Sequence, residues 1–202
     1  DVEPISEFWT WRDCRVRLLR RPNSAAATRI IVVHGAGAHG EALWPLVSLL
    51  PEADFDLTAL DLPLYGDTVV SDPCGVRYDD WVHLVTCLLD PRDGRARSVM
   101  TRFGVFGRWS APLLRLMHRA LARRRVAISR IAPISKMSRD PGLSLLCASD
   151  PRGGGGRVPL GFLASLMSYR HAAPERMTVP VTLAHPERDG WTPIEISQRW
   201  LS

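Results

Sequence analysis

The sequence predicts an α/β fold, and three observations carry that expectation. An apolar run, Ile30-Ile31-Val32-Val33, leads straight into a glycine-punctuated loop, His34-Gly-Ala-Gly-Ala-His-Gly40. A second apolar run, residues 55–60, leads into Asp61-Leu-Pro-Leu-Tyr-Gly-Asp-Thr68. Between them residues 41–50 read as a helix, so strand, helix and strand alternate, the pattern of a parallel sheet under flanking helices.

The loop after the first strand has a chemical reading. Glycines let the chain turn sharply at a strand end and let a substrate carbonyl come close to the backbone with no Cβ in the way. Amides of Gly35, Ala36 and Gly37 can then point at a developing oxyanion, and the N-terminus of the following helix adds a favourable dipole. The plain alternative is an ordinary tight strand-to-helix turn.

Strand, HGxG loop, helix, strand and D-x-P-x-x-G-x-T together resemble the first half of an α/β-hydrolase domain, over residues 12–68. The resemblance resumes near the C-terminus, where residues 179–185 read as a strand. There Pro186-Glu-Arg-Asp-Gly-Trp-Thr-Pro193 is similar to the loop carrying that family's triad acid. It implies a mostly parallel sheet with flanking helices and a helical cap insertion, truncated: residues 1–93 as the N-terminal part of the core, 94–176 as the cap or lid, and 177–202 as the C-terminal part. It implies a carboxylic-ester hydrolase of the serine esterase and lysophospholipase type. In that type Gly35, Ala36 and Gly37 form the oxyanion side and Asp189 is the triad acid. A turn-capping aspartate before Gly190 is the alternative for Asp189.

Two parts of that family's machinery are missing from the chain. A family member carries G-x-S-x-G, a serine on a strained strand-to-helix elbow, and no such pentapeptide occurs in the 202 residues. The base histidine follows the acid in this fold, yet no histidine follows Asp189. Ser110 and Ser135 lack elbow context, and Cys87 lacks elbow glycines. His34 reads as a loop-packing residue and His185 as a core histidine, and the six histidines show no metal-ligand spacing.

The first loss lies near residues 78–90. Residues 78–84 look like the helix before the nucleophile strand, and residues 85–90 look like a later strand fused to it, which would fill the vacated slot in the sheet by a right-handed crossover. One amphipathic helix over 78–89, burying Trp81, Leu84, Val85, Leu88 and Leu89, is the other reading, and periodicity does not separate them.

In the middle of the chain residues 111–121 and 158–169 read as apolar helices. The run Gly153-Gly-Gly-Gly156 between them reads as a flexible hinge or an unstructured surface loop. It is no phosphate cradle, because no Lys-Ser or Lys-Thr follows.

Composition sets the remaining bounds. With 46% apolar and 23% charged residues the chain is ordinary for a globular domain able to bury a core. All but one of its 26 basic residues are arginine, Lys136 being the exception, and the net charge is +5. Arg119, Arg123, Arg124, Arg125 and Arg130, interleaved with Leu113, Leu114, Leu116, Met117 and Leu121, read as a basic amphipathic helix. Such a helix either meets an anionic lipid surface or acidic substrate, or is a solvated face. No aromatic platform or binding motif points to nucleic acid. Cys14, Cys74, Cys87 and Cys147 lack C-x-x-C spacing, which argues against structural zinc and redox dithiols. No secretion signal is seen, so the expectation is a cytoplasmic protein with free thiols, no metal or organic cofactor, and a small ester or acyl lipid as partner.

Overall fold

The computed structural model describes residues 3–89, 121–132, 134 and 138–169. The chain opens with a hairpin. Strand β1 (Ile5–Trp11) turns at Arg12 and Asp13, with Arg12 at φ 51°, into antiparallel β2 (Cys14–Arg21). Strand β3 (Thr28–Val33), helix α1 (Gly40–Val47) and strand β4 (Phe55–Leu60) follow as the apolar pattern predicts. A short β5 (Val69–Val70) pairs with the start of β2.

The described sheet has the order β1-β2-β4-β3, with β5 beside β2. It is mixed: β3 and β4 run parallel, from Thr28 opposite Phe55 to Val33 opposite Leu60, while β2 is antiparallel to β1, β4 and β5. Both faces of its centre are covered, which is why Leu18-Leu19 and Leu57 to Leu60 show no polar alternation. On one face Leu19, Leu57 and Ala59 pack with Trp44 and Val47 of α1. On the other, Val16, Leu18 and Leu60 pack with Trp81, Leu84 and Phe162.

Helix α2 (Tyr78–Leu89) settles the ambiguous segment. Residues 85–89 are helical, so they are neither a strand fused to the helix nor a filler of the slot beside β3. Trp81, Leu84 and Val85 are buried as helical periodicity requires, but Leu89 is exposed rather than in the buried face. The helix is favoured from its start, where Asp79 and Asp80 occupy the positive end and Asp80 Oδ2 accepts the Arg77 amide at 2.8 Å. Cys87 therefore sits on a helix.

A second group of elements stands over the carboxyl ends of β3 and β4. Strand β6 (Arg125–Ala127) leads into a 3₁₀ turn (Ile128–Arg130) and pairs antiparallel with β7 (Arg157–Pro159); helices α3 (Pro141–Ser149) and α4 (Leu160–Ser168) complete the group. The apolar stretch 158–169 is thus a strand end followed by α4. The stretch 111–121 and Asp189 lie outside the described residues, Leu121 excepted. Arg123 and Arg124 lie in a turn and Arg125 in a strand, so the arginine-rich helix does not extend over them.

Candidate active site

The loop from His34 to His39 is built on a buried histidine. His34 Nε2 accepts the Leu62 amide at 2.9 Å, and its Nδ1 donates to Gly35 O at 2.8 Å, which fixes the neutral tautomer. Its ring packs edge-on against Tyr65 and Trp81, with centroids 5.5 and 6.4 Å away. Both ring nitrogens are committed, so His34 ties the end of β3 to the end of β4 and is no general base. Burial, the largest influence, lowers its pKa; the hydrogen bond to Gly35 and the Asp61 charge work the other way without restoring it.

That depression has a measurable consequence. A histidine held neutral in the fold contributes stability that is full above its unfolded pKa, near 6.5. The contribution is lost as pH falls through the lower folded value. Unfolding free energy is expected to fall on acidification from pH 7 to 5, by at most about 1.4 kcal/mol per pH unit from this group. The His34→Gln variant flattens that slope in urea titrations at fixed pH values; an unchanged slope contradicts the assignment.

Asp61 is the second anchor, 1% exposed. Its Oδ1 accepts the Gly40 amide at 2.7 Å, at the positive end of α1, and its Oδ2 accepts the Asp67 amide at 2.8 Å. Thr68 Oγ1 donates to its carbonyl at 2.6 Å. The D-x-P-x-x-G-x-T segment is therefore a self-closed turn clamped onto the glycine loop. Gly66 is required within it: its φ is +58°, and a Cβ there would land on the Asp61 carboxylate.

The three candidate oxyanion residues differ in setting. Gly35 is exposed, and a Cβ on it would meet nothing within 4 Å among the described residues. Ala36 is half-buried against the core. Gly37 is buried at φ +92°, and its backbone is hydrogen-bonded to the Tyr65 hydroxyl. Burial, the larger influence, pushes that hydroxyl up, and the Gly37 contact pulls it down. Gly37 supplies the bend of the loop.

Over this loop lies the Gly153–Gly156 run, which is a packed turn and neither a flexible hinge nor an unstructured surface loop. A Cβ on Gly153 would stand 2.6 Å from Gly37 O, and one on Gly154 would stand 2.5 Å from Cys147 O. Close backbone approach, not freedom, explains these glycines. The turn is tied down at both ends. His39, the N-cap of α1, accepts the Ala42 amide on Nδ1 at 3.3 Å and donates from Nε2 to Asp150 Oδ2 at 2.6 Å. The Gly66 amide donates to Arg152 O at 2.9 Å. Burial alone would raise the Asp150 carboxyl, but hydrogen bonds from the Arg152 amide and His39 hold it below the usual carboxylate range. Arg152 reaches Glu41 at 2.8 Å, and Arg17 bonds both Glu41 and Asp67, so one charge cluster joins β2, α1, the Asp61 turn and the glycine turn.

Sequence reasoning singled out the glycine loop and the Asp61 turn. It missed His39 with Asp150, whose 111-residue separation leaves no local signal. Among the described residues no His, Cys, Asp and Glu cluster could hold a metal, and no helix is long and apolar enough to cross a membrane. Cys14 is buried, and Cys74, Cys87 and Cys147 are half-buried free thiols. Burial and the neighbouring Asp13 push Cys14 up to about 11, so it is a packing residue.

The strand order, the glycine loop at the carboxyl end of β3 and the helices on both sheet faces define an α/β-hydrolase fold, and solved structures agree. A monoacylglycerol lipase from Paleococcus ferrophilus is similar at TM-score 0.67 and 18% identity, over 96% of this chain and 83% of that one. A soluble variant of monoglyceride lipase from Saccharomyces cerevisiae, in complex with a substrate analog, is similar at TM-score 0.59 and 11% identity, over 83% and 67%. A highly thermostable carboxyl esterase from Bacillus coagulans, in complex with glycerol, is similar at TM-score 0.56 and 13% identity, over 83% and 72%. No protein-family model matches the sequence, and no curated protein does.

Proposed function

We propose that the chain belongs by lineage to the carboxylic-ester hydrolases acting on acyl lipids or other small esters, and that it is catalytically incomplete as written. One observation carries the reading: a glycine-bearing loop at the carboxyl end of a parallel strand, with nothing among the described residues within 4 Å of a Cβ placed on Gly35 and with the Ala36 amide next to it. In this reading the amides of Gly35, Ala36 and Gly37 face the ester oxygen as it gains charge, and Asp189 is the acid that orients a triad histidine. Residues 94–176 act as the cap that shapes the acyl pocket. A cytoplasmic setting fits the four free thiols, and no metal or organic cofactor enters the chemistry. A second reading, a non-catalytic binding domain that keeps the pocket, is favoured by the lack of any G-x-S-x-G in the sequence.

The test is hydrolysis of p-nitrophenyl butyrate and decanoate by the purified 202-residue chain, with fluorophosphonate labelling alongside. Neither turnover above buffer nor stoichiometric labelling is expected. Turnover with one-to-one labelling contradicts incompleteness. Saturable quenching of tryptophan fluorescence by a non-hydrolysable monoalkylglycerol ether separates the two readings from a fold with no ester site, which shows none.

A further inference from the structure

Strand β3 stands at one side of the described sheet, with β4 as its neighbour and no partner on its other side among the described residues. Its composition is that of an interior strand. Ile30 and Val32 pack on the α1 side and Ile31 on the α2 side, and residues 30–33 hold no charge or proline of the kind that shields a sheet edge. Its burial is different. Opposite it in register, Leu57, Thr58, Ala59 and Leu60 of β4 are at most 2% exposed, whereas Ile30, Ile31 and Val32 are half-buried and Val33 is 38% exposed. The same two clusters flank both strands, so the difference comes from the open side of β3.

Three features favour a later segment of the same chain as the neighbour. The first is handedness. Strand β3, α1 and β4 form one crossover with α1 on one sheet face. A parallel return from β4 to the far side of β3 keeps the right-handed sense only over the opposite face, and α2 and α4 lie there. The second is reach. Helix α2 packs on both β3 and α4, and Tyr169, just after α4, meets the Tyr78 ring at 4.9 Å between centroids. Residues 170–178, which follow, span up to about 30 Å when extended, more than the length of β3. The third is sequence. Val179-Pro-Val-Thr-Leu-Ala-His185 is an apolar run of strand length, and Pro180, with no amide to give a ladder, falls near its start, where a strand tolerates proline. A tethered segment also meets the edge at an effective concentration on the order of millimolar, which a second copy does not reach in dilute solution.

We propose that residues 179–185 pair in parallel with the open side of β3, in the place that the helical residues 85–89 do not take. The sequence has no G-x-S-x-G, so no elbow strand comes between the two. The pairing sets the loop of residues 186–193, with Asp189, beside the glycine loop at the carboxyl end of β3. It uses no catalytic assignment, so it stands or falls apart from the ester-hydrolase reading.

Amide hydrogen exchange of the 202-residue chain tests it. Alternate amides within residues 181–185, and the β3 amides that do not bond β4, are expected to exchange at least about 100-fold more slowly than in an open chain. Oxidation is expected to link Val33→Cys to His185→Cys, read by peptide mapping, and not Val33→Cys to Val179→Cys, which an antiparallel strand would bring together. Exchange is read on the unmodified chain, so it decides the matter even where a cysteine pair fails to fold. Unprotected amides throughout 181–185, or cross-linking of the second pair, overturns the proposal. So does protection of β3 that appears only as a dimer forms with rising concentration, since a second copy then holds the edge.

Discussion

Replacing Gly66 by alanine is expected to cost the fold about 3–5 kcal/mol. The residue sits at φ +58°, where a side chain is strained, and its Cβ would occupy the Asp61 carboxylate. Left-handed backbone costs about 1–2 kcal/mol at such a site, and overpacking adds about 1–3 kcal/mol. The larger loss is chemical. Asp61 must leave the Gly40 and Asp67 amides, and hydrogen bonds to a charged group are worth about 1.5–3 kcal/mol each. Urea denaturation followed by tryptophan emission measures the change. A loss below about 1 kcal/mol means that the turn rearranges freely, and the clamp on the glycine loop is then not as drawn.

Trp81→Ala is expected to cost about as much, 3–5 kcal/mol on the usual scale for a buried aromatic. Its ring stands between the two halves of the site. It packs on Phe162 of α4 at 4.7 Å between centroids and on Tyr65 at 5.5 Å, while Nε1–H donates to Pro63 O at 3.0 Å. Truncation leaves a cavity below His34 and an unpaired carbonyl in the Asp61 turn. Trp81→Phe keeps most of the volume and loses the hydrogen bond, at about 1–2 kcal/mol. Equal losses for the two variants would show that the indole donor, not packing, dominates; thermal and urea midpoints of both decide it.

What the sequence disclosed depended on punctuation. Strand β3, helix α1 and strand β4 are bounded by glycine, proline and aspartate, so their limits and the loops between them were legible. The β1–β2 hairpin was not singled out, because Cys14-Arg-Val-Arg-Leu-Leu-Arg-Arg21 hides its alternation behind arginines. Some of these are themselves enclosed: Arg21 is buried and reaches Ser48 O and Leu50 O at 3.1 and 2.6 Å. Helix α3 escaped for the opposite reason, since its leucines face solvent and periodicity reads them as core. The four glycines looked flexible because composition records the absence of side chains and not the backbone that has moved into their place. In the site, Gly37 and His34 were legible from the motif, whereas the partner of His39 lies on a distant segment that only the fold brings near.

The two arginines Arg17 and Arg21 share a strand but hold the protein together in different currencies. Arg17 is balanced by Glu41, Asp67 and Asp61, and dissolved ions compete for its exposed pairs with Glu41 and Asp67. Arg21 has only main-chain carbonyls at the carboxyl end of α1, a dipole that no counter-ion displaces and no acid neutralises. Rising ionic strength therefore weakens the exposed arginine pairs at the end of α1 that borders the glycine loop and leaves the Arg21 contacts at its far end unchanged.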